Sequence, residues 1–194
     1  ASYGTDTLAA FGMVNRITSI VMQPPMGFGA ALTSIVGQNI GANQMDRVYE
    51  AFKKAVKIVL ILSIFGSIIM YLFDKPIINF FIKAEEGSNV INLSLTYLKF
   101  TLVIIPMLGM FSIFQGLFQG SGHTKYSMAM DIIRLWGLRI PTILIFREFT
   151  NIGSTGIWFA MSFSNVAIVI YGYIVYKQNK WKNKVINTGD SINI

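Results

Sequence analysis

The 194-residue sequence is 53% hydrophobic and 13% charged, with a formal charge of +7 and no cysteine. Soluble domains carry about 25% charged residues, so these charged side chains are too few for an ordinary aqueous shell, and without cysteine there is no disulfide framework. The basic residues fall in short runs between apolar stretches rather than in one continuous stripe, which argues against nucleic acid as a partner.

In chain order, five apolar segments emerge, at about residues 8–37, 55–73, 98–120, 126–146 and 151–176. A membrane-crossing helix needs roughly 20 mostly apolar residues. The third and fifth segments meet this without charge. The first carries Arg16, the second is entered past Lys57, and the fourth contains Asp131, Arg134 and Arg139. The 15 Phe, 10 Met and 17 Gly fit helices packed in lipid. The expected fold is therefore all-α, a polytopic transmembrane helical bundle over residues 1–186 with a flexible cytoplasmic tail at 187–194. The lipid bilayer is its first partner.

Between the spans, Arg47, Lys53, Lys54, Lys57, Lys125, Lys177, Lys180, Lys182 and Lys184 fall on one side, against Lys75, Lys83, Lys99 and Arg147 on the other. Lys and Arg concentrate in cytoplasmic flanks, which puts the C-terminus inside and residue 1 outside. Residues 1–8 carry no initiating Met and no basic signal-peptide region, so the chain reads as starting within a longer protein. Pro76 suits a helix entry, and a short surface helix is expected at residues 77–82.

Several residues depart from lipid filler. Pro24 and Pro25 remove backbone donors inside the first span, so a kink or local unwinding is expected, with Gly27 and Gly29 offering a thin packing face. Either a substrate-lining element or a fixed bend would account for them. Pro141 bends the fourth span in the same way. Gly37-Gln38-Asn39-Ile40-Gly41 closes the first helix, the glycines providing a left-handed exit and the two amides bonding orphan carbonyls. No strand precedes this loop and no Lys-Ser/Thr follows it, which rejects nucleotide binding.

Arg16 belongs against the bundle interior, water or a partner, or snorkels. Asp131 and Arg134 lie three apart on one helical face and can pair, while Gln115 and Gln119 can add hydrogen bonds. This cluster reads either as a structural ion pair or as part of an ion or ligand pathway. His123, the one histidine, has no companion ligands for a metal and reads as a surface or capping residue. One histidine without cysteine supplies no nucleophile–base pair, so no enzyme activity, cofactor or metal is expected.

The run Asn15-Arg16-Ile17, Gln23-Pro24-Pro25-Met26-Gly27-Phe28-Gly29 and Val36-Gly37-Gln38-Asn39-Ile40-Gly41-Ala42, with the Phe118–Gly122 turn, resembles the multidrug and toxic compound extrusion (MATE) transporters. That resemblance implies half of a MATE-like transporter: helices eight to twelve, the C-terminal lobe without its first helix. It further implies partnership with the N-terminal lobe and that first helix, in a multi-pass bacterial plasma-membrane protein. The implied activity is proton- or sodium-coupled antiport of cationic or amphipathic small molecules by alternating access. A related polysaccharide or lipid flippase, or a non-transporting structural subunit, are the alternatives. On this reading Arg16, Gln23, Gln115, Asp131 and Arg134 are the pathway candidates. The family's main coupling carboxylates lie in the other lobe.

Overall fold

The structure, a computed structural model, describes residues 4–81, 88–149 and 153–182. Lys83, Lys184, the tail at 187–194 and the first residues of the fifth segment lie outside the described residues. The described residues are helical throughout, without strands: α1 (Thr5–Gly41), α2 (Met45–Leu72), α3 (Asp74–Phe81), α4 (Ser88–Gly120), α5 (Thr124–Ile132), a π-helical stretch (Ile133–Arg139), α6 (Ile140–Phe149), α7 (Ser154–Lys177) and a 3₁₀ turn (Lys180–Lys182). The chain forms a transmembrane helical bundle. Four helices (α1, α2, α4 and α7) are long and apolar enough to cross a bilayer. The fourth segment expected from the sequence is helical from Thr124 to Phe149 but divided by the π stretch. The short helix begins at Asp74 rather than after Pro76, and the Asp74 carboxylate accepts the Lys75 N–H at 2.6 Å.

The outer surface is built for hydrocarbon. Phe65, Leu72, Phe80, Trp136 and Phe149 are all more than half exposed. In water such a surface would aggregate; in lipid it is ordinary.

Helix α4 is the central element, packing against α1, α2 and α7. A helix apolar all round belongs in an interior, and α4 fills that place. Its upper half joins Val14, Met22, Met70, Ile78, Leu98 and Trp158 in one core cluster. Its lower half joins Leu32, Val36, Phe52, Phe114, Phe118 and Met130 in another. Aromatic stacking reinforces each. Tyr97 lies on Trp158 with centroids 4.0 Å apart, and Phe11 stacks on each. At the other end Phe52 stacks on Tyr176 at 4.7 Å, Tyr176 on Trp181 at 5.8 Å, and the Trp181 indole donates to the Tyr176 carbonyl at 3.0 Å. The 3₁₀ turn after α7 is thereby fixed against α2.

The closest packing runs between α1 and α4. A Cβ on Gly29 would meet the Ser112 carbonyl oxygen at 2.7 Å, and one on Gly116 would collide with the Gly29 carbonyl oxygen. A Cβ on Gly120 would strike the Thr33 carbonyl oxygen, and one on Gly37 would lie 3.3 Å from that of Gly120. Ser112, Gly116 and Gly120 recur every fourth residue, as do Gly29, Thr33 and Gly37. Small residues at this spacing let backbones approach, the main source of helix affinity in lipid. The thin face expected at Gly27 and Gly29 is thus correct for Gly29 alone; the Gly27 position is open.

Of the kink or local unwinding expected at Pro24 and Pro25, unwinding does not occur: the helix continues through both to Gly41, and the Ser112 hydroxyl donates to the Pro25 carbonyl at 3.0 Å. One expectation is corrected at the α1 terminus. The left-handed exit is taken by Asn43, at φ 58°, and not by Gly37 or Gly41. Asparagine tolerates this region through local hydrogen bonding, which frees Gly37 for packing. Asn39 Nδ2 does bond a carbonyl, that of Ile35 at 2.8 Å, whereas Gln38 reaches the Ser34 hydroxyl at 3.4 Å.

Gly116→Val should lower the apparent melting temperature of the detergent-solubilised protein, because overpacking a tight seam costs about 1–3 kcal/mol. Gly27→Ala, in open space, should leave it unchanged. Thermal unfolding followed by size-exclusion fluorescence measures both.

Candidate functional site

A membrane helix hides polar groups from lipid unless they face water or a partner, so the polar side chains mark the faces that are not lipid-exposed. On α1 the residues turned away from the core include Gly12, Arg16, Ser19, Gln23, Ala30 and Ser34, at helical spacing. Arg16 and Gln23 are both exposed on this stripe and do not join the other candidates. The Ser19 hydroxyl donates to the Arg16 carbonyl at 2.7 Å.

The remaining three candidates meet. Gln115 Nε2 on α4 donates to Asp131 Oδ2 on α5 at 2.6 Å, and Arg134 Nη2 in the π stretch donates to Asp131 Oδ1 at 3.4 Å. The Arg134 guanidinium lies over the Phe111 ring, 4.4 Å from its centre, and its Nε is buried without a hydrogen-bond partner among the described residues. Close by, Gln119 Nε2 donates to the Ser127 hydroxyl at 3.0 Å. The Asp131 side chain keeps about half its surface open, at 46%, whereas Arg134 keeps 16%. The carboxylate is therefore the accessible end of the pair.

Two concavities open beside this network. One of about 470 Å³ is lined by Gln119, Thr124, Ser127 and Asp131; another of about 180 Å³, between α1 and α4, is lined by Met26, Thr33, Ser112, Gln115 and Gln119. Gln119 borders both. The Gly29–Gly116 seam forms the floor of the smaller one, so the same glycines that bring the helices together also shape it.

Sequence reasoning missed a second polar cluster. Arg139 Nε donates to the Ser164 hydroxyl at 3.3 Å and its Nη2 to Asn165 Oδ1 at 3.5 Å, both acceptors being buried in α7. The Tyr97 hydroxyl donates to Asn15 Oδ1 at 3.1 Å. The signal was a lone asparagine within an apolar span, which needs a partner from another helix. The π turn between Arg134 and Arg139 contributes as well, since one extra residue per turn rotates the two arginines relative to α-helical positions. Such turns concentrate at functional sites. Pro141 lies two residues beyond the π stretch, in α6.

Of the surface or capping position expected for His123, the structure takes the second: the residue is the N-cap of α5, its carbonyl accepts the Tyr126 N–H at 3.0 Å, and its ring is buried. It stacks on Tyr126, and its Nδ1 lies 3.0 Å from the Ser121 carbonyl oxygen. The turn it occupies is tight because Gly122 adopts φ 79°. No group of potential metal ligands forms among the described residues.

The family model described as MatE matches residues 1–145. The probable multidrug resistance protein YoeA of Bacillus subtilis (strain 168) is 27% identical over 186 residues, which is 95% of this chain and 39% of the relative. Among solved structures, the inward-facing conformation of a multidrug resistance MATE family transporter of the MOP superfamily superposes with a TM-score of 0.81 at 22% identity, over 88% of this chain and 39% of that one. The outward-facing conformation of such a transporter superposes with a TM-score of 0.83 at 22% identity, over 91% and 39%. These structural likenesses concern the fold. The chain spans about two fifths of the length of the relatives it matches.

A double-mutant cycle of Gln115→Leu and Asp131→Asn should give a coupling of about 1 kcal/mol in unfolding experiments, the size of one charge-assisted hydrogen bond beside partial solvent. Strict additivity would mean the contact contributes nothing.

Proposed function

We propose, because the chain belongs to the MatE family, that it forms part of an ion-coupled antiporter, its polar face lining the path of cationic or amphipathic small molecules out of a bacterial cell. The segment then corresponds to helices eight to twelve, with the C-terminus in the cytoplasm, and the facing lobe and the first helix of its own lobe complete the pathway. The observation that carries this reading is the concentration of polar side chains on one side of an otherwise lipid-adapted bundle. Gln115, Gln119 and Asp131 border concavities that a small molecule can enter, and the α1 stripe from Arg16 to Ser34 is exposed.

Alternating access needs lobes that move as bodies about a central cavity. The similar superposition of this segment on inward- and outward-facing structures supports such a body. The close-packed α1–α4 seam supplies its stiffness. Proton or sodium binding biases the rocking. Along α5 and the π stretch, Arg134 and Arg139 outnumber Asp131, so the carboxylates that bind the coupling cation come from outside this segment. Asp131, held by Gln115 and Arg134, positions the cavity wall and offers an acceptor to substrate.

In the full-length transporter reconstituted in vesicles, Asp131→Asn and Gln115→Ala should each lower ion-driven dye export severalfold at normal expression. Unchanged export would remove them from the mechanism. Because this chain carries no cysteine of its own, single cysteines placed in it report the medium directly once any cysteine elsewhere in the full-length protein is replaced. Gln23→Cys and Ser34→Cys should react with a membrane-impermeant maleimide, whereas Phe65→Cys should not. Equal protection at all three sites would show that the α1 stripe faces no water.

A further inference from the structure

A third concavity lies away from the Gln115–Asp131 network. It lies between α1 and α2, holds about 480 Å³, and is bordered by Phe28 and Ile58 at one end, by Asn39 and Arg47 at the other, and by Ile35, Glu50 and Lys54 between them. Its walls pass from apolar to cationic along their length. From Asn39 back to Phe28 on α1, and from Arg47 forward to Ile58 on α2, the separation is the same number of residues. At 1.5 Å per residue that is about 16 Å, close to half of the roughly 30 Å hydrocarbon thickness. The groove thus spans one leaflet, with its basic mouth at the interface. Above Ile58, Ile61 and Phe65 continue the exposed apolar stripe of α2, so the apolar end opens toward acyl chains.

The charges at the mouth are unequal. Lys54 pairs with Glu50 at 2.7 Å. Arg47 has no ion-pair partner among the described residues, leaving the rim one positive charge in excess, and Lys53 and Lys57 stand exposed on the same helix. We infer that this groove is a binding site for an anionic phospholipid, its phosphate held by Arg47 and Lys54 and one acyl chain laid between Phe28, Ile35 and Ile58. Guanidinium and ammonium donors suit a phosphodiester, and basic pockets between membrane helices recognise anionic headgroups. A zwitterionic lipid brings no net charge to balance the rim. The site shares no lining residue with the concavities beside Gln115 and Asp131.

The test is native mass spectrometry of the full-length protein released from detergent with defined lipids. Wild type should retain phosphatidylglycerol at least fivefold over phosphatidylcholine of the same chain length. Arg47→Gln with Lys54→Gln should abolish that preference, and Ala31→Trp, which fills the apolar wall, should reduce retention of phosphatidylglycerol itself. Equal retention of both lipids by wild type, or an unchanged preference in the double variant, overturns the proposal. If soluble glycerol phosphate competes as well as the lipid does, the groove is an anion site without an acyl chain, and the lipid assignment fails. Elution volume and melting temperature of each variant confirm that it is folded. Transport is not the readout, so this result stands or falls apart from the antiport reading.

Discussion

The close approach of α1 and α4 is the constraint on which the rest of the bundle depends. In lipid there is no gain from burying one apolar helix against another, so association rests on van der Waals contact and on hydrogen bonds between spans. Gly29, Gly116 and Gly120 let the two backbones come within reach of each other's carbonyls, and the Ser112 hydroxyl bonds the Pro25 carbonyl across the seam. Gly109 repeats the device toward α2, where a Cβ would stand 2.6 Å from the Ser63 hydroxyl. Gly172 of α7 repeats it from the third side, against Phe114 of α4 and Met130 of α5. Helix α4 is thus gripped on three sides by positions too small for a side chain.

That grip decides where polar groups can go. Side chains on the packed faces are small or apolar, and the longer polar ones are displaced to the rim. There Gln115 and Gln119 reach α5 and hold Asp131 and Ser127. Across the π turn, Arg139 reaches the opposite way, to Ser164 and Asn165 of α7. One short segment therefore connects the cavity side of the bundle with its buried interior. A buried arginine without such partners would be costly in a low-dielectric medium, so the hydroxyl and amide of α7 matter as much as the arginine.

The two ends of the bundle are fastened differently. One end relies on the Phe11, Tyr97 and Trp158 stack beneath α3. The other relies on Trp181, whose indole and ring contacts fix the segment after α7 against Tyr49 and Tyr176, while Lys182 sits over the Tyr49 ring at 4.9 Å. The rings at both levels are packed inside the bundle, with Tyr97, Trp158 and Trp181 fully buried. The polar face and the basic α1–α2 groove thus lie on one framework.

Composition and hydropathy pattern alone determined that this chain is a helical membrane protein and roughly where its helices run, because a bilayer forces long apolar runs and internally satisfied backbones. The run from Asn15 to Ala42 carried the family, and the three-residue spacing of Asp131 and Arg134 carried their pairing. Only the tertiary structure separated Arg16 and Gln23 from that pair, since they stand on an exposed stripe of α1 while Gln115 of α4 is the residue that reaches Asp131. It also gave Gly37 to packing and the left-handed exit to Asn43, moved His123 into the interior, and brought Arg139 to Asn165. Each of these turns on which neighbour stands opposite a residue, and no local spacing encodes that.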